Sequence, residues 1–146
     1  MTVLIVLVVA WLFFRLLGVF GIPVFLTWHD SLAYGLAVMF LFTSIAHFNR
    51  LRLDLARMIP PLFPAPRAIV TITGLLEIVG AIGLMIPQFR HQAASALLAL
   101  LIVMFLANIH AARVGGMLGG KRVTPLWLRA PMQLLFVALL WWTARP

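Results

Sequence analysis

Cysteine is absent from the 146 residues. Disulfides, thiolate metal sites, a cysteine nucleophile and a CxxC redox pair are therefore excluded. Acidic side chains are almost as scarce. Three Asp+Glu stand against 11 Lys+Arg, for a formal net charge of +8. Charged residues make up 10% of the chain, where a water-soluble domain carries about 25%. So few charges cannot clothe a folded surface in water. GxGxxG, GxxxxGK[ST] and HExxH are all missing, and the four histidines are scattered. No metal is expected, because His47, His110 and Glu77 share no ligand spacing. The basic residues are not interleaved with aromatics as in single-strand binders, so no nucleic-acid partner is expected.

What is present is apolar. Hydrophobic residues make up 64% and mean hydropathy is +1.14. The length suits one domain, residues 1–146. Its long apolar stretches read as bilayer spans. The fold class predicted is therefore an all-α integral membrane bundle of four to five transmembrane helices. Spans are expected roughly over residues 3–20, 32–48, 68–86, 92–112 and 125–142. The first stretch has no basic flank and no small-residue cleavage site, and is expected to be a retained span. The central three are the firmer ones. If an outer span only lies at the surface, the number falls to four.

The connections carry the polar chemistry. GIP (21–23) and the polar WHD (28–30) are expected to mark a turn and an interface, with Trp28 as an anchor. Residues 49–67 begin basic and amphipathic, then carry prolines at 60, 61, 64 and 66. Proline lacks the amide donor and resists helix interiors. The expectation is a surface-lying helical turn, then an extended segment tucked against the bundle. Its carbonyls need cover from protein or water, not lipid. Residues 88–91 read as a tight turn, and 113–125 as a flexible, glycine-rich basic loop. Pro131 is expected to bend the last span.

With five spans, the N-terminus and two basic connections share one side. Arg50, Arg52, Arg57, Arg67, Arg113, Lys121, Arg122 and Arg129 fall there, against Arg90 and Arg145 opposite. The positive-inside rule then predicts a cytoplasmic N-terminus and an outer C-terminus. Basic charge at that surface also suits anionic lipid headgroups.

Glu77 lies nine positions into its span. At about 1.5 Å per residue that is near the bilayer centre. A carboxyl at such depth is costly unless it faces the bundle or a wet cavity. Gly74, Gly80 and Ala81 share its helix surface, and small residues admit a close neighbour or a ligand. Arg15, in the outward half of the first span, is the natural candidate for its ion-pair partner. The alternative is snorkelling of Arg15 to the outer interface. His47 has Thr43 and Ser44 one turn before it, forming a polar stripe rather than a lone histidine. Asn108 needs hydrogen-bond partners in an apolar wall. His110 is placed to face headgroups. Gln133 follows Arg129 by one turn. Glu77, His47, Thr43, Ser44, Asn108, Gln133 and Arg15 are therefore the candidate ligand-binding or proton-relay residues. One polar pocket opening towards the cytoplasmic surface and roofed by the proline segment would contain His47, Asn108 and Gln133, with Glu77 deeper. A helix-gluing carboxyl is the plainer alternative for Glu77.

HF (47–48), MIPPLFPAP (58–66), GLLE (74–77), GAIGLMIPQFR (80–90) and ANIHAA (107–112) together resemble the DoxX family of small bacterial membrane proteins. The likeness runs from the second span to the end of the fourth. It implies a compact helical bundle with family-type positions at His47, Pro61, Pro64, Gly74, Glu77, Gly80, Pro87 and Asn108. Three places depart from the pattern. Ser44 stands where a glycine is common, no proline closely follows the HF pair, and Phe89-Arg90 replaces a Thr-Arg pair.

The family takes its name from a subunit linked to terminal quinol oxidase and thiosulfate:quinone oxidoreductase systems. The resemblance thus implies a bacterial inner-membrane protein, a membrane subunit of a redox system. A quinone or other apolar ligand would sit in its intramembrane pocket. No electron-carrier motif is present, so the reading is of a subunit rather than a self-sufficient enzyme. Membrane lipids, a membrane or redox protein and a further copy of the chain are the expected partners. A small transporter or channel, and a structural or assembly subunit, are the other two readings.

Overall fold

Thr27 sets the start of the most buried of the long helices. Its Oγ1 accepts a hydrogen bond from the Asp30 amide at 2.9 Å, which satisfies a free donor in the first turn. In the computed structural model, which describes residues 2–145, this helix is α2 (Trp28–Phe48). The order is α1 (Thr2–Val19), α2, a short α3 (Arg52–Met58), α4 (Pro66–Met85), α5 (Arg90–Arg113), strands β1 (Met117–Leu118) and β2 (Lys121–Arg122), and α6 (Leu126–Thr143). Single 3₁₀ turns at Pro23–Phe25 and Pro87–Phe89 precede α2 and α5. Five helices are long and apolar enough to cross a membrane: α1, α2, α4, α5 with its 3₁₀ lead-in, and α6. The chain is thus an all-α bundle of the multi-pass membrane kind.

Two expectations need correction. WHD does not lie in the connection before the second span; it forms the first turn of α2. The Thr27-x-x-Asp30 pattern resembles a capping box, and the cap starts the helix before the strongly apolar run does. Residues 113–125 are not simply an irregular loop. Met117 pairs with Arg122 and Leu118 with Lys121 in an antiparallel hairpin. Its turn is Gly119-Gly120, both at positive φ (59° and 76°), as a two-residue primed turn requires.

The helices α2, α4, α5 and α6 contact one another in sequence, and α6 returns to α2. α1 lies beside this ring, packed mainly on α2, with Trp11 also against Trp142 of α6. Gly35 permits that contact: a Cβ there would lie 3.0 Å from the Trp11 backbone. Lipid tails are as apolar as leucine, so close packing rather than water exclusion holds such helices together. Gly74 and Gly80 act in the same way within the ring. A Cβ on Gly74 would fall 2.5 Å from His47 Cβ, and one on Gly80 2.6 Å from Leu97 Cγ. α4 therefore seats closely on both α2 and α5.

The two ends of the bundle are built differently. At the far end, Arg90 Nη1 donates to Asp30 Oδ1 at 2.6 Å, and Arg90 Nε to the Leu84 carbonyl at 3.1 Å. His91 Nδ1 and His29 Nε2 reach the Ala144 and Trp142 carbonyls. Leu32, Leu36, Leu84, Leu97 and Leu140 fill the space between the helices there and are fully buried. The near end holds Thr2, the end of α2, α3, the start of α4, the hairpin and the start of α6. α3 is tied down by hydrogen bonds that include Arg52 Nη2 to Thr71 Oγ1 at 2.7 Å, His110 Nδ1 to the Met58 carbonyl at 3.1 Å, and the Gly119 amide to Asp54 Oδ2 at 2.9 Å. His110 thus covers a carbonyl of the proline connection rather than facing headgroups. The near half of the ring is hollow.

Candidate functional site

That hollow is a cavity of about 670 Å³. It is walled by the C-terminal half of α2, the N-terminal half of α4, the C-terminal half of α5 and the N-terminal half of α6, with α3 and the following segment as a lid. Its size falls within the roughly 300–1,000 Å³ of small-molecule sites. Most of its wall is apolar, including Met39, Phe40, Leu101 and Phe136. Thr43, His47, Glu77, Asn108, Arg129 and Gln133 supply polar groups.

Glu77 is buried, turned into the bundle by its place on the α4 face that also carries Gly74 and Gly80. Its Oε2 lies 3.0 Å from Thr43 Oγ1 and 3.7 Å from His47 Nε2. Thr43 Oγ1 is also 3.0 Å from the Phe40 carbonyl. A hydroxyl carries one proton and can donate to only one of these acceptors at a time. His47 is buried too. Its Nδ1 lies 2.8 Å from the Val70 carbonyl. A carbonyl only accepts, so Nδ1 carries a proton and the neutral ring presents Nε2 as an acceptor. Thr73 Oγ1, which donates to the same Val70 carbonyl at 3.0 Å, packs 3.2 Å from Nδ1. One proton position is therefore left between Nε2 and the Glu77 carboxylate. Their separation of 3.7 Å is longer than a direct hydrogen bond, and both groups border the cavity.

The remaining candidates divide. Gln133 Nε2 donates to the Leu101 carbonyl at 2.7 Å, which crosslinks α6 to α5 and leaves its amide oxygen unspent. The Asn108 side chain has no hydrogen-bond partner among the described residues and borders the cavity. Ser44 is buried and donates to the Leu41 carbonyl at 2.7 Å; it does not line the cavity. Pro61 and Pro64 are exposed, and the lid meets the cavity through Pro60 and Phe63 instead. Pro87 opens the 3₁₀ turn at the far end.

Arg15 is a correction. It makes no ion pair with Glu77. It sits at the far end of α1, with its guanidinium carbon 5.1 Å from the centre of the Trp28 ring. Glu77 lies in the other half of the bundle, so a pair would need to cross the packed leucine layer. Arg129 is the residue the sequence reading passed over, having counted it only as basic charge at the near surface. The available signal was spacing: Arg129, Met132, Gln133 and Phe136 fall at i, i+3, i+4 and i+7, one helix face, and all four line the cavity. Among the described residues no group of three or more His, Cys, Asp or Glu side chains is placed to hold a metal ion.

The model of a family described as a domain of unknown function, DUF8561, matches residues 36–144. The chain belongs to the DUF8561 family. The matched region runs from within α2 past the end of α6 and takes in every cavity-lining residue except Thr2 and Val3. No curated protein and no solved structure matches the chain. The DUF8561 match assigns no reaction, so a chemical reading of the site rests on its geometry.

Proposed function

We propose that this DUF8561 protein is a membrane subunit of a redox system that holds a quinone, or an apolar ligand of similar shape, in the cavity beside Glu77. The redox setting comes from the likeness to the DoxX family. The observation that carries the binding reading is a roomy, mainly apolar cavity with a buried carboxyl in its wall. Apolar walls would hold a ring and its tail, while a few convergent polar groups fix orientation. Glu77 and Thr43 form one hydrogen-bonding pair and His47 a second group, suited to the carbonyl or hydroxyl of such a ring. The single proton position between His47 and Glu77 suits passing a proton to or from that oxygen. Electron transfer would belong to a partner protein. The basic near end is read as the cytoplasmic side of a bacterial inner membrane.

Titrating the purified protein in neutral detergent with quinones of graded tail length tests the reading. Saturable binding by the natural protein is expected, weakened about tenfold or more in Glu77→Gln. Quinone partitioning that never saturates would sink it.

A further inference from the structure

The cavity has a second polar end whose chemistry differs from that around Glu77. Arg129 lines it and is half-buried. Among the described residues its guanidinium has no carboxylate within 4.0 Å and no hydrogen-bond acceptor. The other sheltered arginines lie elsewhere: Arg90 pairs with Asp30, Arg52 donates to Thr71 and Arg15 rests on the Trp28 ring, the last two each with a buried Nε that has no hydrogen-bond partner. The remaining basic side chains are solvent-exposed. Among the arginines, Arg129 is the one that borders the cavity. Glu77 borders the same cavity but does not reach it, and carries its own contacts to Thr43 and His47. Asn108 adds an amide without a partner to the cavity wall. The guanidinium offers five N–H donors and the amide two more.

A sheltered cation with no counter-charge is costly. Snorkelling would remove that cost if the side chain ran out to the headgroups, but Arg129 borders the cavity on the face it shares with Met132, Gln133 and Phe136. A counter-charge suited to this place would be an anion that can sit within an otherwise apolar space. We infer that the Arg129 end of the cavity binds the acidic head of a chain-bearing amphiphile, a carboxylate or a phosphate, whose tail lies along Met132 and Phe136. A planar carboxylate, or two oxygens of a tetrahedral phosphate, match the guanidinium fork in two parallel hydrogen bonds. The inference rests on the reading that the cavity admits apolar molecules, and narrows the chemistry of what it admits.

The test compares three single-chain probes of equal length on the purified full chain in neutral detergent: a fatty carboxylate, a monoalkyl phosphate and a fatty alcohol. The titrations are run at about pH 9, where both acids are ionised. At least one acid should bind about tenfold or more tightly than the alcohol. Arg129→Gln should abolish that gap, and Arg129→Lys, which keeps the charge without the fork, should retain part of it. The tighter acid identifies the head: a free fatty acid if carboxylate, a phospholipid-type head if phosphate. Equal binding of acid and alcohol by the natural protein overturns the inference and leaves the cavity reading standing. So does an acid preference that persists in a folded Arg129→Gln. If neither these probes nor a quinone saturates, the cavity reading fails and this inference with it.

Discussion

Glu77 shows what a single side chain discloses and what it withholds. Its depth was legible, since a carboxyl in a seventeen-residue run that is otherwise nearly apolar must be sheltered. Its neighbours were only partly so. His47, Asn108 and Gln133 fall at one depth by residue counting, and the structure gathers them with Thr43 around one cavity. Arg15 was misassigned because counting gives depth along a helix but not the radial layer, and α1 lies beside the ring. Arg129 was missed for the opposite reason: a basic residue near a helix start looks interfacial whichever way it turns. The Thr43–Glu77 contact gives a prediction at this scale. A double-mutant cycle between Thr43→Val and Glu77→Leu, read by unfolding in detergent, should give a coupling energy of about 0.5–3 kcal/mol. A coupling indistinguishable from zero would mean that the hydroxyl does not serve the carboxyl.

At the scale of elements, the helices were legible from apolar length and the small corrections came from local chemistry. The Thr27 cap moves the start of α2 to Trp28, and the Gly119-Gly120 pair turns a presumed loop into a hairpin. Both signals were in the sequence but were outweighed by the larger pattern of apolar and basic blocks. Which helices touch was not legible, because a glycine marks a close approach without naming the neighbour. Gly74 and Gly80 separate two roles. Gly74→Ala would drive a methyl into His47, and Gly80→Ala one into Leu97. Each is expected to cost about 1–3 kcal/mol of stability, seen as a lower midpoint on heating in detergent. Only Gly74→Ala, by displacing His47 from Glu77, is expected also to weaken quinone binding per folded molecule by about tenfold. Equal loss of binding in both variants would show that the His47–Glu77 geometry is not what matters.

For the whole molecule, the arrangement of hollow and filled halves lay beyond reading from the chain. Leucines and phenylalanines are spread through all five spans, and only the packing reveals that those near Trp28 fill their space while those near Phe48 do not. Orientation is a separate matter, resting on the distribution of basic residues. The absence of cysteine makes it directly measurable. Lys121→Cys, on the hairpin, and Gln88→Cys, at the opposite end, both stand exposed. In intact cells an impermeant thiol reagent should label Gln88→Cys alone, and Lys121→Cys should react only after lysis. The reverse pattern would place the N-terminus outside.

Confinement of the cavity to one end of the bundle has a consequence for supply. The lining residues run from the middle of the bundle to its Thr2 end; on the binding reading proposed above, a guest arriving sideways through lipid would come chiefly from a single leaflet. A molecule resident in the opposite monolayer would have to flip before it could be captured. On that reading occupancy would report the composition of one face of the bilayer, and an enzyme or flippase that alters that asymmetry would change how full the protein is without ever touching it.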